Sequence, residues 1–142
     1  MEKLPLVRDH MDTIVHTLEP DTEILDAVRF LLQHQVTGAP VVDHQNRLLG
    51  VFSEKDCMKL LSTGVGGDVP RGTVRDYMST NVRTISPDMD IYYTAGLFLT
   101  ESLRRFPVVE EGKLIGAITR FDILRVIEPI LRREMEQELA VS

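Results

Sequence analysis

The block Val7-Arg8-Asp9-His10-Met11 returns 67 residues later as Val74-Arg75-Asp76-Tyr77-Met78. A chain that repeats itself at one fixed displacement is built from copies of one supersecondary unit. The register holds: Thr17-Leu18-Glu19-Pro20-Asp21 pairs with Thr84-Ile85-Ser86-Pro87-Asp88, and Pro40-Val41-Val42 with Pro107-Val108-Val109. After one deletion the spacing is 66, and Leu48 to Asp56 pairs with Leu114 to Asp122.

Both copies show the same order of periodicities. An extended segment (Val15 to Leu18; Val82 to Ile85) ends at a Pro-Asp turn suited to a helix start. Apolar residues then recur at helical spacing: Ile24, Val28, Leu31 and Leu32, or Ile91, Ala95, Phe98 and Leu99. A strand at Pro40 to Asp43 or Pro107 to Glu110, a polar turn, and a second strand at Leu48 to Phe52 or Leu114 to Ile118 follow. A closing helix runs from Glu54 to Leu61 or from Arg120 to Ile127. The expected fold is α+β, two β-α-β-β-α repeats at 7–61 and 74–128. Residues 62–73, rich in glycine, form a linker, and its pattern is not a P-loop. Ile127, Leu131, Met135 and Leu139 fall four apart, so 129–142 should be an amphipathic tail helix that Pro129 opens or kinks.

Composition narrows the partners. A chain of 142 residues with 43% hydrophobic and 27% charged residues can bury an ordinary core. Its formal charge of −6 excludes the basic field that nucleic acid or an anionic membrane requires, while a small phosphorylated ligand needs only local arginines and amides. No apolar run approaches the roughly 20 residues of a membrane span, and the first residues lack a signal peptide's apolar stretch. The expected location is the cytoplasm. With Cys57 as the single cysteine, no intrachain disulfide forms and no zinc site is credible. Cys57 reads as a small buried hydrophobe, and His34 as a solvated residue on the polar side of its helix. No serine, histidine or aspartate is ordered as a nucleophile with a base, so the chain reads as no enzyme, with no catalytic cofactor.

The most informative positions are the two copies of Gly-apolar-x-Ser/Thr-x-x-Asp, Gly50 to Asp56 and Gly116 to Asp122. Each lies where a strand hands over to a helix. A glycine there admits a ligand or a backbone, and a hydroxyl followed three residues later by a carboxylate can hold the vicinal hydroxyls of a ribose. The same residues also suit a helix cap, with Ser53 or Thr119 as N-cap and Asp56 or Asp122 as the third helical residue. The two roles are compatible, because a carboxylate has four acceptor sites.

These motifs, with Thr-x-x-Pro-Asp and the helix leading into Pro-Val-Val-Asp/Glu, each present twice in order, make the chain resemble a tandem pair of cystathionine β-synthase (CBS) domains over about residues 7 to 128. The resemblance implies two repeats packed sheet to sheet with pseudo-two-fold symmetry. It implies clefts between the repeats that take AMP, ADP, ATP or S-adenosylmethionine. It makes Ser53 and Asp56 one ribose clamp and Thr119 and Asp122 the other, and gives base contacts to Thr13, Thr37, Gly38, Thr80, Arg104 and Arg105. Phosphate contacts fall to Lys55, Arg104, Arg105 and Arg120, an arrangement favouring the second cleft for a phosphorylated ligand, since Glu54 stands in the first motif where Arg120 stands in the second. Tyr92, Tyr93 and Phe106 either stack on the base or fill its slot. The implied protein is a stand-alone regulatory homodimer acting on an unidentified partner protein. The alternative is an interaction module that dimerises or binds a partner without a nucleotide.

Overall fold

The computed structural model describes residues 3–63, 71–101 and 103–141. The central part of the expected linker, 64–70, lies outside them. A 3-10 turn at Val7–Asp9 precedes α1 (Ile24–His34), β1 (Gly38–Val42), β2 (Leu48–Ser53), α2 (Glu54–Thr63), α3 (Val74–Tyr77), α4 (Ile91–Thr100), β3 (Arg105–Glu110), β4 (Lys113–Thr119) and α5 (Arg120–Val141).

β1 and β2 pair antiparallel, Gly38 opposite Ser53 and Val41 opposite Gly50, with the register shifting between Val41 and Val42. The extended segments ahead of α1 and α4 each contribute a single parallel bridge, Leu18 to Val41 and Ile85 to Val108. Leu18 donates to the Pro40 carbonyl at 2.9 Å, and Ile85 to that of Pro107 at 2.9 Å. β1 is therefore covered along both edges, which explains its run of buried residues from Ala39 to Val42. β3 and β4 form the second two-stranded sheet. Their turn carries two left-handed residues, Glu111 (φ 53°) and Gly112 (φ 80°), the geometry that matches strand twist in a tight hairpin.

The chain divides into two compact units that differ from the sequence repeats. Unit 1 comprises the segment up to Thr13, Thr84–Glu110 and the chain from Ile115 onward; unit 2 comprises Ile14–Arg83 and Glu111–Leu114. Each unit is thus the body of one repeat closed by the leading segment of the other.

In unit 1, Val7 donates to Met89 O and Arg8 to Pro87 O, both at 2.9 Å. Asp12 and Ala117 exchange two backbone bonds of 2.9 Å. In unit 2 the same bonds recur: Val74 to Thr22 O and Arg75 to Pro20 O, both 2.9 Å, and Ser79 with Val51 twice at 2.9 Å. Val7 is fully buried among Ile85, Ile91, Phe106, Val108 and Ile118, and Val74 among Leu18, Ala27, Val41 and Phe52. Exposed ion pairs flank both segments, Arg8 with Asp88 and Glu110 at 3.0 Å each, and Arg75 with Asp21 at 3.7 Å.

Two expectations need correction. The buried stripes are Ile24, Ala27 and Leu31 on α1 and Ile91, Thr94 and Phe98 on α4, while Leu32 and Leu99 are 73% and 88% exposed. The core is narrow enough to cover one residue per turn, and positions eight along the helix from Ile24 and Ile91 have rotated past it. The closing helix and the tail form one helix, with Pro129 inside it. Proline removes one i→i−4 bond and strains one turn, yet flanking contacts carry the helix through, including Arg132 with Glu128 at 3.5 Å. Along the tail part of α5, Leu131, Met135 and Leu139 are 57%, 64% and 74% exposed.

Glycine is required where the leading segments lie across β2 and β4. A Cβ on Gly50 would stand 2.5 Å from Ser79 O, and one on Gly116 2.6 Å from Asp12 O. Gly50→Ala and Gly116→Ala are each expected to destabilise the fold by about 2 kcal/mol, as overpacking against backbone does. Gly96→Ala, in α4 with open space around its Cβ, is expected to raise stability by about 1 kcal/mol. Chemical denaturation of the three variants measures both signs.

Candidate functional site

The first turn of a helix leaves backbone N–H groups without intrahelical partners, and both strand-to-helix junctions solve this in the same way. At the head of α2, the Ser53 N–H and hydroxyl both donate to Asp56 Oδ2, at 2.9 and 3.1 Å. At the head of α5, the Thr119 N–H and hydroxyl donate to Asp122 Oδ2 at 2.8 and 3.0 Å, and the Asp122 N–H returns to Thr119 Oγ1 at 3.2 Å. The carboxylate half of a capping box is present at both junctions, with aspartate in the place usual for glutamate, and the hydroxyl half at the second. Asp56 and Asp122 are only 1% and 2% exposed.

Capping uses one oxygen of each carboxylate. Asp56 Oδ1 faces Lys59 Nζ at 4.0 Å and accepts from Ser79 Oγ at 3.3 Å. Asp122 Oδ1 faces Arg125 Nη1 at 3.6 Å. Those cations are 67% and 64% exposed, so either can swing into solvent and leave an acceptor for a ligand hydroxyl. Spacing of three along a helix could have singled out Lys59 and Arg125 from the sequence. Ser79 could not be found that way, because a long-range contact brings it to Asp56.

The other candidates divide between the units. In unit 2, Thr37 O accepts the Glu54 N–H at 2.8 Å and Gly38 pairs with Ser53, which fixes both beside the Ser53–Asp56 cap. Lys55 and Thr80 are exposed. In unit 1, Thr13 and Arg104 are exposed and Arg105 is half-buried at the start of β3. Arg105 Nε is buried without a hydrogen-bond partner, whereas Arg120 Nη2 donates to Phe98 O at 3.3 Å. Thr13, Arg104, Arg105, Arg120, Thr119 and Asp122 thus share one unit, and Thr37, Gly38, Lys55, Thr80, Ser53 and Asp56 the other.

Gly50 and Gly116 are spent on backbone approach. Phe106 is fully buried and tilts against Phe98 at 4.5 Å, so it is a core residue, while Tyr92 and Tyr93 are exposed on α4. His34 is not a simply solvated side chain. Half-buried, it stacks on His16 at 4.0 Å and packs on Phe30 at 4.4 Å, because the chain entering unit 2 crosses the last turn of α1. Cys57 packs partly buried against the unit 2 core, and burial, followed by the charge of Asp56, pushes its thiol above the ordinary range, which makes it a poor nucleophile. Among the described residues no cluster of three or more His, Cys, Asp or Glu could hold a metal ion, and no helix is long and apolar enough to cross a membrane.

Each strand-to-helix junction thus holds a buried, backbone-tied carboxylate with one oxygen that the cap does not use. The CBS domain family model matches residues 7–63 and 74–129. Among curated proteins, the A-adding tRNA nucleotidyltransferase of Aquifex aeolicus is 28% identical over 127 residues, 89% of this chain and 15% of that protein. Among solved structures, CBSX2 in complex with AMP has 32% identity and a TM-score of 0.77, covering 89% of this chain and 98% of that one. The CBS domain pair of protein MJ0100, in complex with 5′-methylthioadenosine and S-adenosyl-L-methionine, has 25% identity and a TM-score of 0.72, covering 86% and 98%. Matched twice by its model and alike in fold to its solved members, the chain belongs to the CBS domain family as a tandem pair.

Proposed function

We propose that the chain is a non-catalytic regulatory module that binds an adenine nucleotide or another adenosyl ligand, with one site in each unit. The observation that carries this reading is the Oδ1 that the cap leaves unused on each aspartate, beside an exposed cation and, at Asp56, the Ser79 hydroxyl. Ser53 with Asp56, and Thr119 with Asp122, take the ribose hydroxyls. The adenine lies against Thr37, Gly38 and Thr80 in unit 2, and against Thr13, Arg104 and Arg105 in unit 1. The ligands named for CBSX2 and MJ0100, AMP and the two adenosyl compounds, support this class.

Phosphate favours unit 1. Arg104, Arg105 and Arg120 belong there, and the orphaned Arg105 Nε is a donor whose burial costs free energy until an acceptor arrives. Unit 2 offers Lys55 beside the repelling carboxylate of Glu54. Asp122→Ala should therefore weaken AMP and ATP binding about 10- to 150-fold, since a carboxylate taking two hydroxyls contributes about 1.5 to 3 kcal/mol, and Asp56→Ala should weaken it less. Both variants also lose a cap, about 1 kcal/mol of stability. Calorimetric titration beside thermal melts separates the effects. A lowered melting temperature with unchanged affinity at Asp122→Ala assigns that residue to capping alone.

The working form we propose is a cytoplasmic homodimer that regulates a partner protein. Leu25, Leu32, Met58 and Leu61 on α1 and α2 of unit 2 are each at least 59% exposed, and so are Leu99 on α4 and Phe121 on α5 of unit 1. Exposed apolar residues on neighbouring helices suit a symmetric interface. They equally favour the alternative reading, an interaction module working without nucleotide. Light scattering should give twice the 16.1 kDa chain mass at micromolar concentration, and Leu32→Glu with Leu99→Glu should return it to the monomer value. A monomer mass for the unmodified chain would contradict the dimer.

A further inference from the structure

The two clamps share the carboxylate bonds to Ser53 or Thr119 and, the Asp122 N–H bond to Thr119 Oγ1 apart, differ in what covers Oδ1. Each aspartate gives Oδ2 to its cap, and each Oδ1 faces the cation three residues along, Lys59 or Arg125. The difference comes from the leading segments. Ser79 lies opposite Val51 in an antiparallel bridge, and Asp12 lies opposite Ala117 in the same relation, at positions equivalent in the repeat. Ser79 brings a hydroxyl that donates to Asp56 Oδ1 at 3.3 Å. Asp12 brings a carboxylate, which when ionised accepts hydrogen bonds and donates none.

We propose that this one position sets the occupancy of the two clamps: Ser79 competes with the ligand's ribose for Asp56 Oδ1, and Asp12 leaves Asp122 Oδ1 free of such competition. The inference rests on the adenosyl reading and deepens it. A ribose presents two O–H donors and needs acceptors. In unit 2 one of the two acceptor sites of Oδ1 already carries a protein donor, so taking both ribose hydroxyls there breaks the Ser79 bond. In unit 1 the described residues give Asp122 Oδ1 the Arg125 cation and no hydroxyl donor, and Asp12, exposed at the equivalent bridge position, is itself an acceptor. Ser79 acts through Asp56 and is a positioning residue. It too is exposed, so its hydroxyl can turn to water when a ligand arrives.

The test titrates the full chain with AMP and with 2′,3′-dideoxyadenosine monophosphate, which lacks both ribose hydroxyls. In the unmodified chain AMP should show one stronger and one weaker site. Ser79→Ala should tighten the weaker site about five-fold for AMP, the worth of one hydrogen bond removed from competition, and leave dideoxy-AMP unchanged. Ser79→Thr, which keeps the hydroxyl, should behave as the unmodified chain. Asp12→Ser should do the reverse at the stronger site, weakening AMP about five-fold, and thermal melts report the folding of each variant. Diol-dependent AMP binding that neither Ser79→Ala nor Asp12→Ser alters, or that both ligands register equally, overturns this inference and leaves the adenosyl site standing. If no chain binds AMP, ATP or S-adenosylmethionine, the adenosyl reading falls and takes this inference with it.

Discussion

Everything in this chain depends on the crossing of two short segments over two glycines. Neither repeat body completes its own core: the valine that closes unit 1 is Val7 from the first repeat, and the one that closes unit 2 is Val74 from the second. The crossing is possible because Gly50 and Gly116 carry no Cβ, which lets the Ser79 and Asp12 carbonyls come close enough to bond the neighbouring strand residues. Both repeats must therefore be present together. Half the chain would expose a hydrophobic groove and hold an unplaced strap, a poor outcome for a domain this small.

The same crossing brings chemistry to the helix starts. A capping aspartate is ordinary stabilising machinery, and its burial alone suits a purely structural part. Two features give it a further use: only one oxygen is consumed by the cap, and an exposed side chain covers the other. Preorganisation follows, because a carboxylate fixed by two hydrogen bonds loses little conformational freedom when a ligand binds. In the proposed reading, function is layered on a feature the fold needs anyway, and the repeat supplies that feature twice. The units diverge at equivalent positions of the repeat, Glu54 against Arg120, Gly38 against Arg105, and Ser79 against Asp12.

Repetition made the fold legible in the sequence. One register located both hairpins and both helix pairs, and strand positions were correct to within two residues because the apolar runs are bounded by polar turns. The motif from glycine to aspartate announced the caps by local spacing alone. What stayed hidden was non-local. No periodicity shows that Val7-Arg8-Asp9-His10-Met11 docks on the opposite repeat, that Gly50 serves a carbonyl rather than a ligand, or that Ser79 reaches Asp56. The stacking of His16 on His34 was missed for the same reason, and Leu32 and Leu99 look like core residues until the width of the core is known. Of the two readings of Pro129, a helix start or a kink, the continuous helix from Arg120 to Val141 removes the first.

The central claim is that one carboxylate both caps a helix and receives the ligand, so binding must tighten the strand-to-helix junction itself. Amide hydrogen exchange at Ser53 and Thr119, whose N–H groups donate to the two aspartates, reports this directly. With AMP at about one hundred times its dissociation constant, exchange at Thr119 should slow by up to about 100-fold, with Asp12 and Ala117 following because they share its unit. Saturating AMP that protects other amides and leaves Thr119 and Ser53 exchanging at their free rates would contradict the account.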